Sequence, residues 1–345
     1  MATGYVYDPI YLEHDMRGHP ESRQRLEAIL RVLDEHSLRQ RLTPIEPLPI
    51  DHEQLARVHS PDYIEQVRRL AERGGGHLDM DTYVRPASYE AALLAAGGLV
   101  EAVRAVLDGE VDNAFGLVRP PGHHALRGRG MGFCLFNNVA IAARYALADR
   151  GLDRVLIVDF DVHHGNGTQA EFEADPAVMF LSTHQYPHYP GTGHWRETGS
   201  GAGQGSIVNV PLPGGVGDEG FGRIFDEIVT PVAWRFQPQM ILVSAGYDAH
   251  WDDPLAHLQL SIGGYAAIAR ALKGLAEELC DGRLVFTLEG GYHLQALSYA
   301  VLNTFGLLLD EADWELVDPL GPSPRGERPV DDVLAQVRKA HGLDR

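Results

Sequence analysis

The stretch Arg154-Val155-Leu156-Ile157-Val158-Asp159-Phe160-Asp161-Val162-His163-His164-Gly165-Asn166-Gly167 decides how this chain reads. Val155 to Val158 form an unbroken aliphatic run, the pattern of a strand buried on both faces. Glycines close the segment, so its polar residues fall where a strand gives way to a loop. Open α/β sheets carry their chemistry there. Asp161 and His163 alternate with Phe160 and Val162, so at period two both polar side chains leave the same face. A carboxylate and an imidazole converging in this way are two ligands for a borderline metal such as zinc. A turn that merely caps the next helix would explain Asn166 and the glycines. It would not explain two adjacent histidines beside two acids.

Outward from this point, helix and strand signals alternate without a long linker. Residues 21–38 read as an amphipathic helix after Pro20. Ser60-Pro61-Asp62 opens another, with serine as N-cap and proline in the first turn. Residues 88–108 form a longer buried helix ended by Gly109, and residues 137–149 another. Strands are expected at the N-terminus and over 114–118, 155–159, 178–182, 240–244 and 284–288. Helices are expected over 220–236, 261–279 and 294–309, and a final one over 331–341 after a proline-rich loop from Pro319. This alternation is the signature of a mainly parallel sheet covered on both faces. One domain over 1–345 is the economical organisation, with a motif-bearing core at about 19–309 and a C-terminal extension at about 319–345.

Composition frames the function. With 29 basic and 48 acidic residues the formal charge is −19, which excludes a general nucleic-acid binder. An acidic surface can attract basic peptides or polyamines. The two cysteines, Cys134 and Cys280, make no disulfide framework and suit a reducing cytoplasm. No apolar run reaches the ~18 residues of a membrane span, and no secretory signal pattern opens the chain.

Three further clusters fall at expected strand ends: Pro120-Pro121-Gly122-His123-His124, Ser244-Ala245-Gly246-Tyr247-Asp248-Ala249-His250 and Leu288-Glu289-Gly290-Gly291-Tyr292-His293. The carboxyl ends of a parallel sheet share one edge, so clusters remote in sequence can meet. Asp161, His163 and Asp248 then form a three-ligand set that leaves room for water and substrate, the open coordination of a catalytic zinc. His123 and His124 offer an imidazole that moves protons near neutral pH. Tyr292 offers a hydroxyl to a developing oxyanion.

Taken together these motifs resemble the zinc-dependent histone deacetylase superfamily, particularly the class II-like bacterial histone deacetylase-like amidohydrolases and the related acetylpolyamine amidohydrolases. The likeness runs from His19-Pro20-Glu21 to about Leu309. It is carried by Arg119-Pro-Pro-Gly-His-His124, Gly130-Met-Gly-Phe-Cys-Leu-Phe-Asn-Asn138, Asp159 to Gln169, Tyr189-Pro-Gly-Thr-Gly193, Ala245-Gly-Tyr-Asp248 and Glu289-Gly-Gly-Tyr292. The resemblance implies the arginase/deacetylase α/β fold and one zinc per protomer on Asp161, His163 and Asp248. It implies His124 as general base and acid, oriented by Asn166, and His123 as its electrostatic neighbour, oriented by Asp159. Tyr292 would polarise the acyl carbonyl. Phe133 and Tyr189 would wall an acyl-lysine channel, Gly132 would accept from the scissile amide, Leu255 would stand at the rim and Arg25 near an internal acetate route. A structural potassium ion is implied at Asp159, Asp161, His163, Ser182 and Thr183, and a second at Phe172, Asp175, Val178 and Ser206.

The expected reaction is hydrolysis of an N-acyl amide, with acetyl-lysine in a protein or peptide as substrate and an acetylpolyamine or other small acylated amine as the alternative. Leu255 tilts towards acyl-lysine, because a polyamine enzyme usually places an acid at the rim. A binuclear manganese hydrolase of the arginase type needs Asp-x-His-x-Asp, and here Gly165 takes the last position. A silent acyl-lysine reader is disfavoured by the presence of Tyr292. Oligomers are compatible with this reading, whereas a membrane or direct nucleic-acid role is not.

Overall fold

The computed structural model of the chain describes residues 1–310 and 314–344. Among the described residues ten strands run in chain order as β1 Thr3–Val6, β2 Thr43–Ile45, β3 Gly76–His77, β4 Tyr83–Val84, β5 Asn113–Gly116, β6 Val155–Asp159, β7 Val178–Gln185, β8 Ile207–Leu212, β9 Met240–Ala245 and β10 Leu284–Leu288. Eight of them make one sheet in the order β2-β1-β5-β10-β9-β6-β7-β8, and every pairing in it is parallel. β3 and β4 form a separate antiparallel pair.

Helices Ser88–Leu107 and Asn138–Ala148 pack together on one side, and Gln24–Glu35, Ile262–Leu279 and Leu294–Leu308 group on the other. The central strands β5, β6, β9 and β10 are buried at every residue, as two covered faces require. Each fully buried Val, Leu or Ile contributes roughly 1.5–3 kcal/mol, so the sheet edge that carries the polar clusters is held rigidly. Local signals act as expected at the helix starts: Ser60 accepts from Tyr63 N–H at 3.3 Å, Asn137 from Ala140 at 3.1 Å and Ser261 from Gly264 at 3.0 Å.

The C-terminal extension packs on the same body. Glu327 accepts from the backbone N–H groups of Gly217, Glu219 and Gly220 at the start of helix Asp218–Ile224, and Leu334 and Val337 are buried. Among the described residues no helix is long and apolar enough to cross a membrane. Register brings the chemistry together: Asp159 pairs with Ser182 on one side and with Ser244 on the other, and Leu288 pairs with Ala245.

Candidate active site

Where β6 and β9 end, Asp161, His163 and Asp248 present one ligand atom each, all within 4.8 Å of one another. Asp161 is set by its own loop: Oδ1 accepts from His163 N–H and Oδ2 from Gly290 N–H, both at 2.8 Å. Asp248 Oδ1 accepts from Val162 N–H at 2.9 Å, whereas Oδ2 is buried, lies 3.3 Å from His163 Nδ1 and makes no hydrogen bond. A buried carboxylate oxygen left in this state is costly without a cation. Burial works against a charged His163, but the two carboxylates outweigh it and push the imidazole up to about 10. A Cβ at Gly290 would collide with Asp248 Oδ2 and Asp161 Oδ2, so only glycine lets the backbone close around the carboxylates. Two carboxylates and one imidazole with an unsatisfied oxygen fit a single divalent ion such as zinc.

His123 and His124 sit side by side, ring centroids 4.0 Å apart. Their partners differ. His123 Nδ1 lies 3.0 Å from Asp159 Oδ2 and His124 Nδ1 2.8 Å from Asn166 Oδ1. Both acceptors lack a proton, so both Nδ1 atoms donate, and Nε2 of His124 is left as its basic nitrogen. Burial opposes charge on His123, but Asp159 and Asp161 override it and raise the group to about 10. Burial, then the neighbouring His123 and His163, drives His124 well below its ordinary value.

A cavity of about 230 Å³ opens over these groups, lined among others by Gly132, Phe133, Tyr189, Leu255 and Tyr292. Tyr189 stands edge-on to His124 at 5.2 Å and Phe133 edge-on to Tyr292 at 5.9 Å. Phe133 holds φ at +70°, a strained conformation for a bulky residue that persists only where its surroundings fix it. Burial, then Asp248, keeps the Tyr292 phenol well above its usual pKa, so it remains a donor. Arg25 lies behind Tyr292 rather than on the wall. It sits 5.2 Å from the tyrosine ring and donates to the Gly291 and Glu289 carbonyls and to Glu21.

Parts of the two residue sets named for monovalent cations are adjacent. Thr183 Oγ1 lies 3.5 Å from the Asp159 carbonyl, and Ser182 is the strand partner of Asp159. Phe172 and Asp175 share a turn closed by a 3.0 Å hydrogen bond, and Val178 N–H reaches the Asp175 carbonyl at 3.4 Å. Ser206 meets this region through Phe180 N–H at 2.9 Å.

The sequence reading missed several residues that complete the site. Asp81 lines the mouth, and His188 lines the wall, stacked on His163 at 5.2 Å. His188 Nε2 donates to the Leu255 carbonyl at 3.1 Å. Only the polar turn at 79–82 and the histidine beside Tyr189 hint at them in the sequence. A second group, His123, Cys134 and Glu289, also converges within 4.8 Å, but its atoms are engaged. Glu289 accepts from Gly122 N–H, His123 N–H and Ser244 Oγ, and the Cys134 thiol donates to the Gly132 carbonyl.

The chain is similar to known proteins over most of its length. The histone deacetylase domain family matches residues 19–308. A probable deacetylase of Archaeoglobus fulgidus is 45% identical over 307 residues, covering 88% of this chain and 85% of that protein. Human polyamine deacetylase HDAC10 is 39% identical over 88% of this chain, which spans 46% of its length. The crystal structure of the HDA15 HD domain is 36% identical and superposes with a TM-score of 0.90 over 99% of this chain and 94% of that one. The order of the motifs, the all-parallel sheet and these likenesses have one reading: the chain belongs to the histone deacetylase family, whose members hydrolyse acyl amides.

Proposed function

We propose that this chain is a single-domain, zinc-dependent deacetylase whose preferred substrate is an acetyl-lysine side chain of a peptide or protein. The observation that carries the reading is the convergence of Asp161, His163 and Asp248 at the end of an aromatic-walled channel, beside two differently partnered imidazoles and Tyr292. Asp161, His163 and Asp248 would hold one ion per protomer. When bound, zinc supplies Lewis-acid polarisation and acidifies water.

The chain's own residues do the rest. Phe133 and Tyr189 enclose the aliphatic stem, and the Gly132 carbonyl accepts from the scissile N–H. Nε2 of His124 takes a proton from the attacking water, while the Tyr292 hydroxyl donates to the oxyanion that forms. His124 then returns the proton to the leaving amine, which would otherwise depart as an unstable anion. His123 stays charged against Asp159 and adds to the burial that holds His124 at a low pKa. Structural potassium at Asp159, Asp161, His163, Ser182 and Thr183, and a second ion at Phe172, Asp175, Val178 and Ser206, would stiffen the strand ends. Two buried unpaired cysteines suit a cytoplasmic location.

Asp81 at the channel mouth favours a second reading, deacylation of an acetylpolyamine, because it could pair with the distal amine. Leu255 at the rim favours the first. Side-by-side kcat/KM values on an acetyl-lysine peptide, an acetylpolyamine and a longer acyl-lysine decide between them. The first reading expects the acetyl-lysine peptide to lead, and a leading acetylpolyamine contradicts it.

A further inference from the structure

Tyr292 follows β10 after Glu289, Gly290 and Gly291. Gly291 has φ +120°, so the rigid strand ends at Leu288 and does not itself fix where the tyrosine points. Something else must anchor it. Arg25 Nε holds the Gly291 carbonyl from behind at 2.7 Å. From the front, one carboxylate does the work. Asp253, only 6% exposed, accepts at Oδ2 from Tyr292 N–H at 2.7 Å and from His293 N–H at 3.1 Å. Its other oxygen, Oδ1, accepts from Leu255 N–H at 3.0 Å. Leu255 is further pinned at its carbonyl by His188.

We infer that Asp253 is a positioning residue that couples the channel rim to the oxyanion donor. One buried side chain fixes the backbone of Leu255, which meets the substrate stem, and of Tyr292, which meets the acyl oxygen. Three backbone N–H groups from two loops converge on this one side chain, so the spacing between rim and donor is set by one residue rather than by two loops moving separately. The inference rests on the oxyanion role given to Tyr292, and its test separates the two. Asp253→Asn replaces one accepting edge by an NH2 group that faces the amides it should accept from.

The test is a double-mutant cycle on an acetyl-lysine peptide with Asp253→Asn and Tyr292→Phe, with zinc content measured for all four proteins. Asp253→Asn should retain zinc and lower kcat about 30-fold, in line with a small displacement of a catalytic group. In the Tyr292→Phe background the same change should lower kcat less than about 3-fold, because the hydroxyl that it misplaces is already gone. A purely structural role predicts equal losses in both backgrounds, and that result overturns the coupling. If Tyr292→Phe alone keeps wild-type kcat, the tyrosine assignment falls and the coupling with it. Should Asp253→Asn not fold, Asp253→Ser, smaller and still an acceptor, is read in the same cycle against the same two outcomes.

Discussion

Two adjacent imidazoles have different partners, Asp159 for His123 and Asn166 for His124, and the proposed reaction uses that difference. An aspartate partner raises an imidazole more than an amide does: with Asp159 and Asp161 beside it His123 is raised against its burial, whereas burial and the neighbouring His123 and His163 lower His124 and the amide of Asn166 does not offset them. His124 must be neutral to act as base, so a lowered pKa keeps the enzyme active further into acid. Asn166→Asp adds a carboxylate at Nδ1, raises His124 and should move the acidic limb of kcat/KM to higher pH; an unmoved limb contradicts the assignment. His124→Ala should cost more activity than His123→Ala, since it removes the proton carrier rather than a field. Tyr292→Phe should keep fold and metal and lower turnover by roughly 10²–10³. A loss below about fivefold means that the hydroxyl does not carry the oxyanion. All these residues stand at strand ends that apolar runs and glycines mark in the sequence. Asp81, His188 and Asp253 were not legible in this way, because their roles come from neighbours 39 to 67 residues distant for Asp253 and His188, or from the shape of a channel mouth.

At the level of elements, the segment before helix Gln24–Glu35 is tied to the loop after β5 by a buried charge cluster. Glu21 accepts from Arg119 through both oxygens and from Arg25 at 3.2 Å, and Arg119 also donates to the Tyr11 and His14 carbonyls at 2.7 and 2.8 Å. Burial alone would raise the Glu21 carboxyl, but Arg119 outweighs it and holds the group below the ordinary carboxylate range. Arg119→Met strands the charge and two carbonyls. Urea unfolding should then show a loss of about 3–5 kcal/mol, the usual result of breaking a buried pair; a change under about 1 kcal/mol would show that the cluster is not structural. Strands with continuous aliphatic runs and helices with clear caps were legible. β2 and β8 were not, and both carry proline: Pro44 and Pro211 lie in the two edge strands, where a missing N–H is tolerated but the strand signal is broken. Residues 220–236 read as one helix but carry a π-turn at Phe225–Val229, next to Pro231, which cannot donate the hydrogen bond that regular helix needs.

For the whole molecule, the parallel sheet gathers strand ends far apart in sequence, and the chain carries a formal charge of −19. The surface would favour basic peptides over neutral ones, so the rate on acetyl-lysine peptides with lysine or arginine neighbours should fall more steeply with salt than that on uncharged ones. Equal salt dependence would assign the acidity to solubility alone. Elemental analysis tests most directly the single catalytic metal proposed on Asp161, His163 and Asp248. The wild-type protein should hold one equivalent of divalent transition metal per protomer, and Asp161→Ala and Asp248→Ala should each lose it together with activity. Two equivalents in the wild type, or full deacetylase activity in a metal-free Asp248→Ala protein, would contradict the account.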